Sequence, residues 1–213
     1  MKNVVLFSGL GANQCIFDFL DLGEVNKVYI QWPVPQPGET LASYAKRITQ
    51  QIPYENPILI GVSFGGMVAT EISKLIPTEK VIVISSAGSH RAIPFYYKLL
   101  GFMGIQHVLP ARVATRPGKL MCRILGVRTA EHMNLLSGIL SKTDPIFLRR
   151  AVNMILKWRN EVLPKNFHHI HGTSDFLLPL RVACHATIAG GGHFMIVDRA
   201  KEVSMWLQQV IHA

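Results

Sequence analysis

Only three cysteines, at positions 15, 122 and 184, occur in 213 residues. They are odd in number and far apart, which argues against a disulfide framework and against a thiolate zinc cluster, and suits a reducing, cytoplasmic setting. Long hydrophobic runs are also missing. The longest, residues 93–109, is interrupted by Lys98 and His107 and falls short of the roughly 20 apolar residues of a membrane-spanning helix. The first ten residues carry one lysine and pass directly into a strand pattern, without the length or the small-residue cleavage site of a signal peptide. No internal repeat, low-complexity tract or linker interrupts the chain. Gly9-x-Gly11 lacks the third glycine of a dinucleotide-binding turn, no acidic residue ends the second predicted strand, and no Gly-Lys-Ser/Thr phosphate loop occurs.

Acidic residues are scarce where basic ones concentrate. The formal net charge is +9, a value that taken alone points toward nucleic acid. Residues 88–160, however, hold twelve of the 22 lysines and arginines against only Glu131 and Asp144, and the remaining chain is close to neutral. One insert therefore carries the whole excess. Such an insert fits an entrance for anionic substrates, a contact with an acidic membrane or partner, or plain solvent exposure. Few aromatics interleave its basic runs, so a stacking platform for single strands, and with it a nucleic-acid partner, is not expected.

What is present is apolar and regularly punctuated. Hydrophobic residues make up 49% of the chain, enough for one domain with a substantial core. Residues 3–7, 27–32, 57–60, 80–85, 167–171 and 183–188 read as strands. Residues 40–51 read as a helix capped by Thr40, with Leu41, Tyr44, Ala45 and Ile48 on one face. A second helix spans 64–76, halted by Pro77, and a last one 199–212, with Ala200, Val203, Trp206, Leu207, Val210 and Ile211 as its buried stripe. Strands alternating with helices predict an α/β fold, a parallel sheet under helices on both faces. Residues 89–160 break the rhythm. They offer helical stretches near 93–107, 117–125, 129–141 and 144–159, the last begun by Asp144-Pro145, and no strand. The expected organisation is a core of residues 1–88 and 161–213 with a helical cap, 89–160, inserted in it.

The pentapeptide Gly61-Val62-Ser63-Phe64-Gly65 stands between a predicted strand and a predicted helix. That is the context of a nucleophile elbow, in which a serine is held out on a sharp turn while glycines let the backbone pass. Asp175 and His193 also follow the C-terminal ends of predicted strands, the first after Gly172-Thr173-Ser174, the second after Gly190-Gly191-Gly192. In a parallel sheet those ends share one edge. A serine hydroxyl needs a base to take its proton, and a carboxylate to hold that base in the correct tautomer. The backbone N–H groups of Phe64 and Leu10 are the candidate donors for a developing oxyanion.

Other polar residues have plainer explanations. Asp144 could supply a carboxylate from the insert but reads more simply as a helix cap, Asp198 reads as the cap of the last helix, and Cys15 could line the cleft but reads more simply as an inert buried cysteine. His90 could edge the pocket or simply sit where the insert leaves the sheet. His168, His169 and His171 lie along one predicted strand, the last two on a shared face; without a further ligand, no metal site is assigned.

The segments Ser8-Gly9-Leu10-Gly11-Ala12, Gly61-Val62-Ser63-Phe64-Gly65-Gly66, His171-Gly172-Thr173-Ser174-Asp175 and Gly191-Gly192-His193-Phe194 together resemble the α/β-hydrolase superfamily, in order and over nearly the whole chain. The resemblance implies Ser63 as nucleophile, Asp175 as acid, His193 as base, and Leu10 and Phe64 as oxyanion donors. It also implies a reduced sheet of about six strands, because the chain starts at what looks like the third strand of larger members. Only seventeen residues separate Asp175 from His193, which leaves little room for a full helix between the last two strands. The expected activity is hydrolysis of a small ester or thioester without cofactor or metal. Ile93, Phe95, Tyr96, Leu99, Leu100, Phe102 and Met103 could roof an acyl chain, and Arg112, Arg116, Arg123 and Arg128 could attract an anionic substrate. An amidase, a carbon–carbon bond hydrolase or a lyase on the same triad, a non-enzymatic ligand receptor, and a module docking on a membrane or protein remain open at this point.

Overall fold

The structure, a computed structural model, describes residues 1–97 and 118–213. Six strands, β1 (Lys2–Phe7), β2 (Val25–Tyr29), β3 (Ile58–Val62), β4 (Lys80–Ile84), β5 (Phe167–Gly172) and β6 (Ala186–Ile188), form one sheet in the order β2-β1-β3-β4-β5-β6. Every pairing is parallel. Alternation along the central strands explains how one sheet supports two cores. Val4, Leu6, Ile58, Ile60, Ile82, Ile84 and Ile170 pack in one cluster; Val5, Phe7, Leu59, Val81 and Val83 pack in the other.

Helices α1 (Leu41–Ile48) and α2 (Phe64–Ile72) contribute to the second cluster. Thr40 caps α1 as the sequence predicts: its Oγ1 accepts from the Ser43 N–H at 3.1 Å, and the Ser43 hydroxyl accepts from the Thr40 N–H at 2.9 Å. This reciprocal arrangement satisfies donors that a helix start otherwise leaves unpaired. The first cluster is closed by a short helix α6 (Met195–Asp198) and by α7 (Ala200–His212), through Val203, Leu207 and Ile211.

Between β4 and β5 the described residues contain helices α3 (Lys119–Ile124), α4 (Ala130–Ser141) and α5 (Pro145–Lys157). The helical stretch expected at 93–107 lies, beyond residue 97, outside the described residues. Asp144 caps α5, accepting from the Ile146 N–H at 2.7 Å, with Pro145 at the first helical position. Leu136 and Ile139 of α4 join the first cluster, and Phe147, Ala151 and Met154 of α5 join the second. The insert thus shares both cores. Trp158 adds a polar tie, its Nε1–H donating to the buried Glu71 carboxylate of α2 at 2.7 Å.

Several boundaries differ from the sequence expectation. β2 covers 25–29 rather than 27–32, because its partner β1 ends at Phe7 and the chain then turns toward Pro33. β6 shrinks to three residues, an edge strand with one neighbour. α2 stops at Ile72 and continues as a tighter turn ahead of Pro77, in which the Lys74 and Leu75 N–H groups bond three residues back to the Glu71 and Ile72 carbonyls. The last helix begins at Ala200, after a break at Arg199 (φ −124°, ψ 31°). Among the described residues, no helix is long and apolar enough to cross a membrane.

Candidate active site

The strand order changes direction between β1 and β3, and the crevice beyond the carboxyl ends of two such strands is where open α/β sheets bind ligands. Ser63 follows β3 and Leu10 follows β1, so both stand at this switch point. Ser63 adopts φ 52° and ψ −118°, a conformation unusual for a residue with a Cβ and typical of functional turns. The turn is fixed on all sides. The Ser63 N–H donates to the Ile84 carbonyl at 3.0 Å, and the Ser86 hydroxyl donates to the Ser63 carbonyl. A Cβ on Gly65 would collide with the carbonyls of Phe7 and Ser8, and one on Gly61 would collide with the backbone of Gly65 and Gly66. Those two glycines are therefore required by close backbone approach.

Three loops bring the polar residues together. His193 Nε2 lies 2.9 Å from Ser63 Oγ, and His193 Nδ1 lies 2.7 Å from Asp175 Oδ2. Asp175 and His193 are buried, at 4% and 8% exposure. Asp175 Oδ1 accepts from the Leu178 N–H at 2.7 Å, and Oδ2 also faces His171 Nε2 at 3.3 Å. Burial alone would raise the Asp175 carboxyl. The opposing charge of His193, then hydrogen bonds from His171, His193 and the Leu178 N–H, outweigh burial and hold it well below the usual carboxylate range. An ionised Asp175 requires His193 to donate from Nδ1, which leaves Nε2 free to accept the Ser63 proton.

The loops carrying these groups are tied to one another. The Ser174 N–H donates to the Gly191 carbonyl at 2.9 Å, and the Thr173 N–H to the Ile188 carbonyl at 3.0 Å. A Cβ on Gly172 would strike the Gly191 carbonyl. On the other side, the Phe194 N–H donates to the Leu125 carbonyl at 2.9 Å, and Gly126 and Gly192 meet backbone to backbone. The insert therefore braces the His193 loop directly.

Phe64 occupies the first position of α2, where a backbone N–H has no carbonyl one turn back to bond. Its ring is fully buried among Trp32, Tyr44 and Phe147, with centroids 5.2 to 6.2 Å away, which fixes the peptide behind it. Leu10 stands in a turn closed by the Ala12 N–H on the Gly9 carbonyl at 3.0 Å, with Gly11 at φ 76°. A positive φ at the third position is what a type II turn demands. No acceptor among the described residues takes the Leu10 N–H.

Ser63, His193 and Leu10 open into a cavity of about 400 Å³. Its walls are overwhelmingly apolar, with Ile16 and Met67 from the core side and Leu136, Ile139, Val152 and Leu156 from α4 and α5. Tyr97 and Arg149 are the other polar liners among the described residues. The Tyr97 hydroxyl donates to the Leu177 carbonyl at 2.6 Å, and burial, with Tyr96 and Asp175 nearby, pushes it up to about 12.

Other sequence candidates lie elsewhere. Of the residues expected to roof an acyl chain, Ile93 lines the cavity, Phe95 is exposed, and the half-buried Tyr96 does not line it; Leu99, Leu100, Phe102 and Met103 fall outside the described residues. Arg123 and Arg128 are exposed and do not line the cavity, and Arg112 and Arg116 are outside the described residues. Arg149, which the sequence reading did not single out, stands at the cavity instead. Asp198 does not cap α7; its carboxylate pairs with His132 Nδ1 at 2.6 Å. His90 bonds the Asn160 carbonyl, away from the cavity. Cys15 packs beside the core, its thiol pushed up by burial and by Asp18. Among the described residues no cluster of three or more potential ligands could hold a metal ion.

Solved structures with the same architecture include an esterase from Exiguobacterium antarcticum (TM-score 0.75, 15% identity, covering 100% of this chain and 92% of that one). A lipase-esterase related protein from Clostridium acetobutylicum is similar (TM-score 0.70, 19% identity, 98% and 94%), as is a hydrolase from Oleispira antarctica (TM-score 0.71, 16% identity, 100% and 91%). The chain has the α/β-hydrolase fold. No curated protein matches it significantly in sequence. The model of an uncharacterised protein family, UPF0227, matches residues 18–181, a span that takes in Ser63 and Asp175 and ends before His193. That match covers most of the chain, and the protein belongs to the UPF0227 family.

Proposed function

We propose that the protein is a serine hydrolase that cleaves a small carboxylic ester or thioester through an acyl-enzyme on Ser63. The observation that carries this reading is the hydrogen-bonded series Ser63–His193–Asp175 opening into an apolar cavity. Ser63 Oγ attacks the carbonyl carbon while its proton passes to His193 Nε2. The N–H groups of Leu10 and Phe64 receive the oxyanion, whose preorganised stabilisation is commonly the largest catalytic term. Collapse of the intermediate expels the alcohol or thiol, protonated by His193. A water that loses its proton to His193 then attacks the acyl group, releasing a carboxylic acid and restoring Ser63. Asp175 stays ionised and steadies the imidazolium.

The lining favours an aliphatic acyl or alcohol part, since a cavity of this size with few polar groups binds apolar ligands and orients them through those few. Residues 89–160 act in this reading as the cap that shapes the cavity. The fold shared with esterases is consistent with it but leaves the chemistry to the site itself.

Hydrolysis of p-nitrophenyl esters from acetate to decanoate tests the proposal. The parent should turn over the series, and Ser63→Ala and His193→Ala should each lose about three or more decades in kcat/KM. A folded Ser63→Ala variant with parental activity would overturn it.

A further inference from the structure

Behind Asp175 lie two imidazoles that the reaction scheme leaves unused. His169 and His171 alternate along β5, so their rings share one face of the sheet, and each is 1% exposed. His171 Nε2 lies 2.8 Å from the Leu178 carbonyl oxygen and 3.3 Å from Asp175 Oδ2. His171 Nδ1 lies 2.9 Å from His169 Nε2. The two rings meet edge to face, their planes 85° apart.

These contacts fix where the hydrogens sit. A carbonyl oxygen and an ionised carboxylate only accept, so the nitrogen facing both, His171 Nε2, must carry a hydrogen. In the uncharged ring Nδ1 is then bare and only accepts. The hydrogen between the rings therefore belongs to His169 Nε2. Burial, then the neighbouring His171 and His185, outweigh a backbone hydrogen bond with Ser86 and lower His169 to about 3, which keeps that ring neutral at ordinary pH.

We propose that His171 is a positioning residue: its Nε2–H holds Asp175 Oδ2 in line with His193 Nδ1, and His169 holds His171 in the only tautomer able to do this. The inference rests on the triad reading above and extends it one shell outward. The geometry gives His171 a double grip. Its Nε2–H donates to the Leu178 carbonyl at 2.8 Å and also faces Asp175 Oδ2 at 3.3 Å, while the Leu178 N–H fixes Oδ1 at 2.7 Å. The terminal torsion of an aspartate is otherwise broad. With the His171 donor gone, Oδ2 keeps one partner instead of two, and the loop bearing Leu178 loses its anchor to β5.

Two measurements test this. The first is independent of catalysis: the imidazole ¹⁵N spectrum of the parent should show His171 as the Nε2–H tautomer, and His169→Leu should shift that balance. A parent with His171 in the Nδ1–H form would overturn the proposal. The second compares His171→Gln with His171→Asn. A glutamine amide reaches about as far as imidazole Nε2, whereas an asparagine amide stops near Nδ1. The Asn variant should lose about 10- to 100-fold in kcat with KM within about twofold, and Gln should stay within about fivefold of the parent. The downfield proton resonance of the Asp175–His193 hydrogen bond should move in the Asn variant and stay in the Gln variant. Parental kcat and resonance in His171→Asn, or an equal loss in both variants, would overturn the proposal. If the Asn variant does not fold, the tautomer measurement in the parent decides. Absence of hydrolysis by the parent would instead remove the triad reading, and leave the tautomer and resonance results to judge the placement of Asp175.

Discussion

Ser63 holds a φ of 52° with a Cβ attached, a conformation that costs of order 1–3 kcal/mol and persists only where its surroundings enforce it. The enforcement here comes from the Ile84 carbonyl, the Ser86 hydroxyl and the close passage of Gly61 and Gly65. Two variants that both lose the hydroxyl separate this strain from the side-chain hydrogen bond. Ser63→Gly should be more stable than Ser63→Ala by about 1 kcal/mol in urea unfolding, because glycine tolerates the backbone angles; equal midpoints would show that the turn stores no strain. His169 makes a different residue-scale prediction. Its folded pKa of about 3 lies below its unfolded value near 6.5. Between those values the unfolded chain binds a proton that the folded chain does not, so stability is fully present above about 6.5 and falls as pH drops toward 3. Unfolding free energy should decline by up to about 2 kcal/mol from pH 6.5 to 5 through this group, a slope absent in His169→Leu. His171, His185, His193 and Asp175 face the same region, so the difference between parent and variant is the quantity to read.

At the scale of elements, the elbow works because β3, the turn and α2 are fitted backbone to backbone. Gly65→Ala would place a methyl against the Phe7 and Ser8 carbonyls. The cost should be at least about 2 kcal/mol in a urea titration, the range of forced overpacking or beyond it; a neutral outcome would contradict the described turn. This element is legible in the sequence, because the glycine spacing, the preceding apolar run and the helical period all point to one local structure. Thr40 and Asp144 were legible as caps for the same reason, their chemistry being local. The misses are tertiary in origin. Asp198 reads as a cap from its place before the last helix, yet His132, 66 residues away in sequence, draws its carboxylate across the fold. β6 reads as six residues from its composition and keeps three, Ala186–Ile188, the stretch that runs beside Ile170–Gly172 of β5. Arg149 gives no signal in one dimension that separates it from the other basic residues of the insert. The histidines of β5 do carry a signal, their period of two, but nothing in the sequence places Leu178 and Asp175 beside them.

For the molecule as a whole, the sheet order gathers the candidate residues at one edge, and the excess positive charge is concentrated in residues 88–160. The positions of Ser63, Asp175 and His193 after strand ends were readable from the alternation of strands and helices, and the six-stranded parallel sheet agrees with that expectation. The source of any attraction for anions was not: Arg123 and Arg128 point to solvent, and Arg149 lines the cavity. Steering by a basic insert weakens once the Debye length falls from about 10 Å at 0.1 M salt to about 3 Å at 1 M. Hydrolysis of carboxylate-bearing esters should therefore fall as salt rises while neutral esters change little, and Arg149→Gln should remove most of the difference. Equal salt responses for the two classes would assign the basic residues to solvent exposure alone.

The central claim is that Ser63 Oγ is an activated nucleophile. Intact-mass detection after treatment with a fluorophosphonate probes it most directly. The account predicts one added phosphonyl group on the parent, mapped to the peptide containing Ser63, and none on a folded Ser63→Ala variant. A folded parent that stays unlabelled, or a Ser63→Ala variant labelled as fully as the parent, would contradict it.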